Sequence, residues 1–214
     1  MLYIYIYMKI LELFKGTGSI TKYYENDNHE IISLDILEKY KPSICGDIMD
    51  WDYSIYPKGY FDIIWASPEC KIYSPLQNTH IGKKWKDKKH LQDERDKNNI
   101  FIKKTIEIID YFKPTFYFVE NPLYSKIWDY VEQDYKNDFV IVDYCYFGYD
   151  YKKPTKILTN KKLENKRCLC KKHDMRIGVS SKANMDHANV VKGDNTTLNQ
   201  RYSIPSLLLK YLLS

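Results

Sequence analysis

Short apolar runs alternate with longer mixed stretches along this chain. Residues 9–14 (KILELF), 31–34, 61–65 (FDIIW), 115–119 (TFYFV), 139–144 and 156–159 each predict a strand, with a brief further strand just before Cys45. The run at 61–65 is apolar except for Asp62, the pattern of a strand buried on both faces of a parallel sheet. Residues 15–20 (KGTGSI) predict a glycine turn into a helix that includes residues 21–25. Over residues 95–112, Phe101, Thr105, Ile108, Ile109 and Phe112 fall at i, i+4, i+7, i+8 and i+11, which predicts one amphipathic helix stopped by Pro114. Ile204, Leu207, Leu208, Tyr211 and Leu212 predict a last helix, with Pro205 in its first turn, docking beside the first strand. Strands and helices in alternation predict an α/β fold. The turn at 147–156 predicts a hairpin at the sheet edge, and residues 160–199 are polar with little periodicity. The organisation expected is a sheet domain over 1–159, a short insert over 160–200 and a returning helix over 201–214.

Composition changes this picture little. At 214 residues, 44% hydrophobic and 29% charged, the chain has enough apolar material for one large core. The formal net charge is +5, with the lysines concentrated locally. Five cysteines (45, 70, 145, 168 and 170) follow no disulfide framework, and residues 1–8 (MLYIYIYM) are too short an apolar run to span a bilayer. An intracellular, reducing setting with no membrane contact is expected.

The chemistry gathers at predicted strand ends. Gly16 and Gly18 let backbone approach a ligand closely. Asp35, 17 residues after Gly18, stands where an acid accepts ribose hydroxyls, or else caps the next helix. Asp47 stands where a third strand end would meet an adenine amino group. Cys70 follows the strand at 61–65 directly. A right-handed βαβ crossover would bring Cys70 and Glu120 into one crevice, since neighbouring strands lie about 5 Å apart. Cys70 alone reads as a small buried hydrophobe. With a Glu beside it, the pair reads as a nucleophile with an assisting acid. Residues 78–90 (NTHIGKKWKDKKH) set Lys83, Lys84, Lys86, Lys88 and Lys89 around Trp85. Such a loop tracks phosphates and stacks on bases, whereas the plainer reading is a solvated face. Cys168, Cys170, His173 and His187 are compatible with zinc, though the C-x-C spacing is unusual and loop residues are the alternative. No other metal site is expected.

The order of these pieces resembles the cytosine carbon-5 DNA methyltransferases, in particular the compact phage and viral members. Leu13-Phe14-Lys15-Gly16-Thr17-Gly18 is similar to the first S-adenosylmethionine motif, and Asp35-Ile36 and Asp47-Ile48 to the ribose and adenine positions. Ser67-Pro68-Glu69-Cys70, with Ser74, resembles the proline-cysteine loop, and Glu120-Asn121-Pro122 the glutamate-asparagine motif. Residues 147–153 resemble the segment that normally carries a glutamine and arginines, and residues 201–205 the final motif that returns to the cofactor. The resemblance implies a Rossmann-like class I S-adenosylmethionine-dependent methyltransferase sheet with a very short recognition segment. It implies catalysis by Cys70, Glu120 and Lys153, with cofactor contacts from Phe14, Gly16, Thr17, Gly18, Asp35, Ile36, Asp47, Ile48 and Pro68. Ser74 and Lys152 would join the lysines of 83–89 and Trp85 on nucleic acid.

There are departures from the family pattern. Glu69 replaces a second proline and puts a negative charge beside the thiol, which raises its pKa. Tyr151, Lys152, Lys153 and Thr155 stand where the glutamine and arginines are usual, and lysine lacks the bidentate fork. The recognition segment, of about 40 residues, has few side chains to read the major groove, so a short target or a protein partner for recognition is expected. DNA is the expected substrate. An RNA substrate of the tRNA type, or a binding subunit without activity, are the two other readings.

Overall fold

The computed structural model describes residues 7–132, 134–135, 138–149, 152–168 and 202–214. Strands β1 (Lys9–Leu13), β2 (Glu30–Asp35), β3 (Ile44–Cys45), β4 (Ile63–Ala66), β5 (Phe116–Pro122), β6 (Phe139–Asp143) and β7 (Pro154–Thr159) form one sheet in the order β3-β2-β1-β4-β5-β7-β6. β1 to β5 are parallel, and β7 runs antiparallel between β5 and β6. This is a Rossmann-like α/β sheet, with the expected hairpin at one edge.

Alternation along the strands sends side chains to two apolar layers. Leu11, Leu13, Ile64 and Val119 pack with Ile102, Ile108, Ile109 and Phe112 of the helix Ile100–Phe112. Ile10, Trp65, Phe118 and Ile157 face the other way, onto Ile20, Leu208, Leu209 and Leu212. The last three belong to the helix Ser206–Leu213, which docks on this face as expected. Burying each such Leu or Ile contributes about 1.5–3 kcal/mol relative to leaving it exposed.

The glycine turn is fixed from both sides. Phe14, Gly16 and Gly18 all have positive φ, at 55°, 48° and 69°. It is this left-handed backbone at Gly18 that favours glycine, since the nearest atom to an added Cβ is the flexible Lys15 side chain. The short helix Ser19–Tyr23 has no side-chain cap at Gly18. Glu12, buried on β1, takes that place by accepting from the Ile20 and Thr21 N–H groups at 3.0 and 3.2 Å and from the Thr21 hydroxyl. Burial raises the Glu12 pKa, and these hydrogen bonds oppose the rise.

Two expectations are corrected here. The helix expected over 95–112 is two helices, Lys88–Asn98 and Ile100–Phe112. The Asn98 side chain donates to the Glu94 carbonyl at 2.8 Å, competing with the backbone at the junction. The basic stretch expected as a loop is a 3-10 helix over Pro75–His80, a tight turn, and the first turn of the helix Lys88–Asn98 capped by Asp87. Residues 160–168 run back along the sheet. Asn160 bonds Tyr117 N–H and the Thr115 carbonyl, and Lys166 bonds Ile141 and Asp143 of β6.

Candidate active site

The carboxyl ends of β1 and β2 form one side of the site. Asp35 Oδ2 accepts from Gly16 N–H at 2.8 Å, and Oδ1 from Leu37 N–H at 2.8 Å. The expected ribose acceptor therefore also locks the glycine turn to the end of β2. The Asx-type bond to Leu37 precedes a 3-10 turn over Glu38–Tyr40, whose N-cap is Leu37 with no side-chain cap, so Asp35 does not cap that turn. Ile36 is 62% exposed and presents an apolar face beside it. Asp47 bends its own chain by accepting from Met49 N–H at 2.9 Å. Ile48 lies in the core, which leaves its backbone and not its side chain for a ligand. Thr17 lies within hydrogen-bond reach of Ser19 at 3.3 Å, and Ile204 N–H donates to Ser19 Oγ at 3.0 Å. The segment before the last helix thus returns to the glycine turn. Arg201 of that segment lies outside the described residues, as do Tyr151, Cys170, His173 and His187.

The ends of β4 and β5 form the other side. The two strands are parallel neighbours, with Ala66 opposite Val119. This register sets the loop carrying Pro68 and Cys70 beside Glu120 and Asn121. Both of these lie within β5, which ends at Pro122, rather than beyond it. Asn121 Nδ2 donates to the Pro68 carbonyl at 2.8 Å. Pro68 is itself buried, while Glu69 is exposed. Glu120 is 7% exposed, and its Oε1 lies 3.4 Å from Lys153 Nζ and accepts from the Tyr144 hydroxyl at 3.1 Å. Cys70, Glu120 and Lys153, expected together, are brought together. Tyr144, Asn121 and Arg95 complete the arrangement.

Electrostatics set the state of the thiol. Burial pushes the Cys70 pKa up, the Glu120 carboxylate pushes it further, and Lys153 pulls it down. Glu69 adds a smaller upward push. The site thus holds a protonated thiol more firmly than water does.

The chain beyond Cys70 is braced from beneath. Buried Arg95 donates to the Ile72 carbonyl at 3.1 Å and the Ser74 carbonyl at 3.4 Å. Ser74 caps the Pro75–His80 turn through Leu76 N–H. Lys83, Lys84, Lys86, Lys88 and Lys89 are all exposed. Trp85 is not the open stacking face expected. It is 6% exposed, and its indole donates to Gln77 Oε1 at 3.0 Å. Lys84 lies over its ring. The indole needs a buried acceptor, and Gln77 supplies one. Lys152 is partly buried, close enough to lower the Cys145 pKa, which burial and a hydrogen bond with Cys168 push up to about 12. Cys168 thus has a thiol neighbour, and among the described residues no group of three or more His, Cys, Asp or Glu could hold a metal. Nor, among them, is any helix long and apolar enough to cross a membrane.

Sequence periodicity held a signal for Arg95, which lies four residues after Leu91 on the buried face of its helix. Tyr144 carried none, because a tyrosine just past a strand reads as ordinary core.

No family model matches the chain. It is 30% identical over 158 residues to the Frog virus 3 (isolate Goorha) protein named "Probable DNA (cytosine-5)-methyltransferase", covering 72% of this chain and 71% of that one. Among solved structures it is similar to the Entamoeba histolytica methyltransferase EhMeth, with a TM-score of 0.49 and 18% identity over 75% of this chain. It is also similar to the S. pombe Dnmt2 methyltransferase, with a TM-score of 0.48 and 15% identity over 74% of this chain. The chain spans 57% and 52% of those two structures, about half their length. With the viral relative at that identity and coverage, the chain belongs to the DNA (cytosine-5)-methyltransferase family.

Proposed function

We propose that the chain transfers a methyl group from S-adenosylmethionine to carbon 5 of cytosine in DNA, with Cys70 as a covalent nucleophile. The observation that carries this reading is the meeting of Cys70 and Glu120 at the carboxyl ends of two neighbouring parallel strands, with Lys153, just before β7, on the Glu120 carboxylate.

The residues present fit the cofactor. Gly16 keeps the turn free of a side chain, Asp35 offers carboxylate oxygens for a ribose, and exposed Ile36 gives an apolar face for an adenine. Phe14, Thr17, Asp47 and the Ile48 backbone would add contacts on the β1–β3 side, and Pro68 would add one from the β4 side. When bound, S-adenosylmethionine supplies an electrophilic methyl sulfonium.

The remaining steps belong to the chain's own side chains. Carbon 5 of cytosine is too weak a nucleophile unaided. The Cys70 thiol gives up its proton to water, and the thiolate adds to carbon 6, the electron pair of the carbon 5–carbon 6 double bond moving into the ring. Glu120 holds the ring at N3 and the exocyclic amine and stabilises charge as it develops. Carbon 5 then takes the methyl group as the sulfonium S–CH3 bond breaks, its electron pair staying on the sulfur of a neutral thioether product. A base removes the carbon 5 proton, the sulfur–carbon 6 bond breaks, and the electron pair returns to the thiolate. The target base leaves the stack to reach this crevice. Ser74, Lys152 and the exposed lysines of 83–89 hold the backbone meanwhile.

The test is methyl transfer by the full chain to DNA and to RNA, read as 5-methylcytosine by mass spectrometry. The proposal requires product from DNA. Product from RNA alone would move the substrate to RNA, and none from either would leave a binding subunit.

A further inference from the structure

Lys153 is the ammonium that meets Glu120, and one ammonium by itself does not fix the rotation of a carboxylate. A second group does so here. Tyr144 follows β6 directly and is fully buried. Its hydroxyl donates to Glu120 Oε1 at 3.1 Å and accepts from Lys153 Nζ at 3.5 Å. Lys153 Nζ also lies 3.4 Å from the same carboxylate oxygen and 4.4 Å from the centre of the Tyr144 ring. The three groups close a triangle.

The backbone secures that triangle. Tyr144 N–H donates to the Lys153 carbonyl at 3.2 Å, and Tyr149 packs edge-on against the Tyr144 ring at 5.6 Å. A phenol suits the place, since its hydroxyl donates one hydrogen and accepts others. Both the phenol and the ammonium engage the same carboxylate oxygen, Oε1.

We infer that Tyr144 is a positioning residue for the reaction: with Lys153 it anchors Oε1 of Glu120 from two directions, so that the second carboxylate oxygen is presented to the cytosine edge. This rests on the function proposed above for Glu120. Tyr144 touches no reacting atom and acts through Glu120.

The test is single-turnover methyl transfer to DNA by wild type, Tyr144→Phe, and Tyr144→Phe combined with Lys153→Arg. Phenylalanine keeps the buried ring and removes only the hydroxyl. Tyr144→Phe should slow transfer about 10- to 100-fold, the usual effect of removing a supporting hydrogen bond behind a functional group. Binding of S-adenosylmethionine and DNA should change by less than about twofold, because neither is held by Tyr144. Adding Lys153→Arg should recover most of the rate, since the fork restores the second hydrogen bond. A structural role alone gives no such recovery. A wild-type rate for Tyr144→Phe, or a loss that Lys153→Arg does not relieve, would overturn the inference while leaving the proposed function standing. A wild-type protein that methylates no cytosine would overturn both.

Discussion

Asn121 and Pro68 are joined across the site, the Asn121 amide donating to the Pro68 carbonyl at 2.8 Å. The bond ties the end of β5 to the loop that carries Cys70. Both partners are buried, so its removal leaves the Pro68 carbonyl without water. Asn121→Ala should lower stability by about 1–3 kcal/mol, read from the denaturant midpoint. It should also slow methyl transfer, because the thiol loses its fixed position. Transfer at the wild-type rate would show that the loop needs no such tie.

The raised Cys70 pKa gives a pH dependence of definite sign. Only the thiolate attacks, so Cys70 reactivity should climb as pH rises through and beyond the ordinary thiol range. Exposed Cys45 serves as an internal comparison. At neutral pH, iodoacetamide should label Cys45 before Cys70, read by peptide mass spectrometry. Glu120→Gln removes a charge that raises the thiol pKa, so it should move Cys70 labelling to lower pH. Lys153→Met removes the charge that lowers it and should move labelling to higher pH. Shifts of the opposite sign would refute this account of the thiol.

Asp35 has two tasks, and its replacement should register in both. Asp35→Ala removes the ribose acceptor and the bonds to Gly16 and Leu37. Affinity for S-adenosylmethionine by calorimetry should fall about 10- to 100-fold, the range for hydrogen bonds to a charged group. Unchanged affinity would place the cofactor elsewhere.

The lysines and Trp85 should separate cleanly. Replacing Lys83, Lys84, Lys86, Lys88 and Lys89 by Ala should weaken DNA binding alike for all sequences. The slope of log affinity against log salt should flatten by about 0.9 for each DNA phosphate that a lysine no longer neutralises. Trp85→Ala should instead destabilise the fold by about 3–5 kcal/mol, as for a buried aromatic. Equal salt slopes for wild type and the lysine variant would remove this surface from the DNA interface.

Much of this site was legible in the sequence because strand periodicity and parallel connections are local signals. The run at 61–65 located Cys70 at a strand end, and the βαβ rule placed Glu120 next to it; the parallel pairing of β4 and β5 agrees. What stayed hidden depends on packing across distance. Trp85 sits among lysines in sequence, yet Gln77 offers its indole a buried partner. Tyr144 meets Glu120 only because β7 inserts between β5 and β6 and carries Lys153 back to it. The break between the helices at Asn99 turns on side-chain competition at Asn98, which apolar spacing does not register.

The central claim is a bond between Cys70 and carbon 6 of cytosine, and trapping it is the most direct measurement. Fluorine at carbon 5 cannot leave as a proton does, so the final elimination stops. Wild type incubated with S-adenosylmethionine and DNA containing 5-fluorocytosine at the target should give a complex that survives denaturation, with Cys70 as the modified residue by mass spectrometry. Cys70→Ala should give none while still binding the cofactor. A wild-type protein that methylates DNA but forms no such complex, or a Cys70→Ala protein that still methylates, would contradict the covalent mechanism.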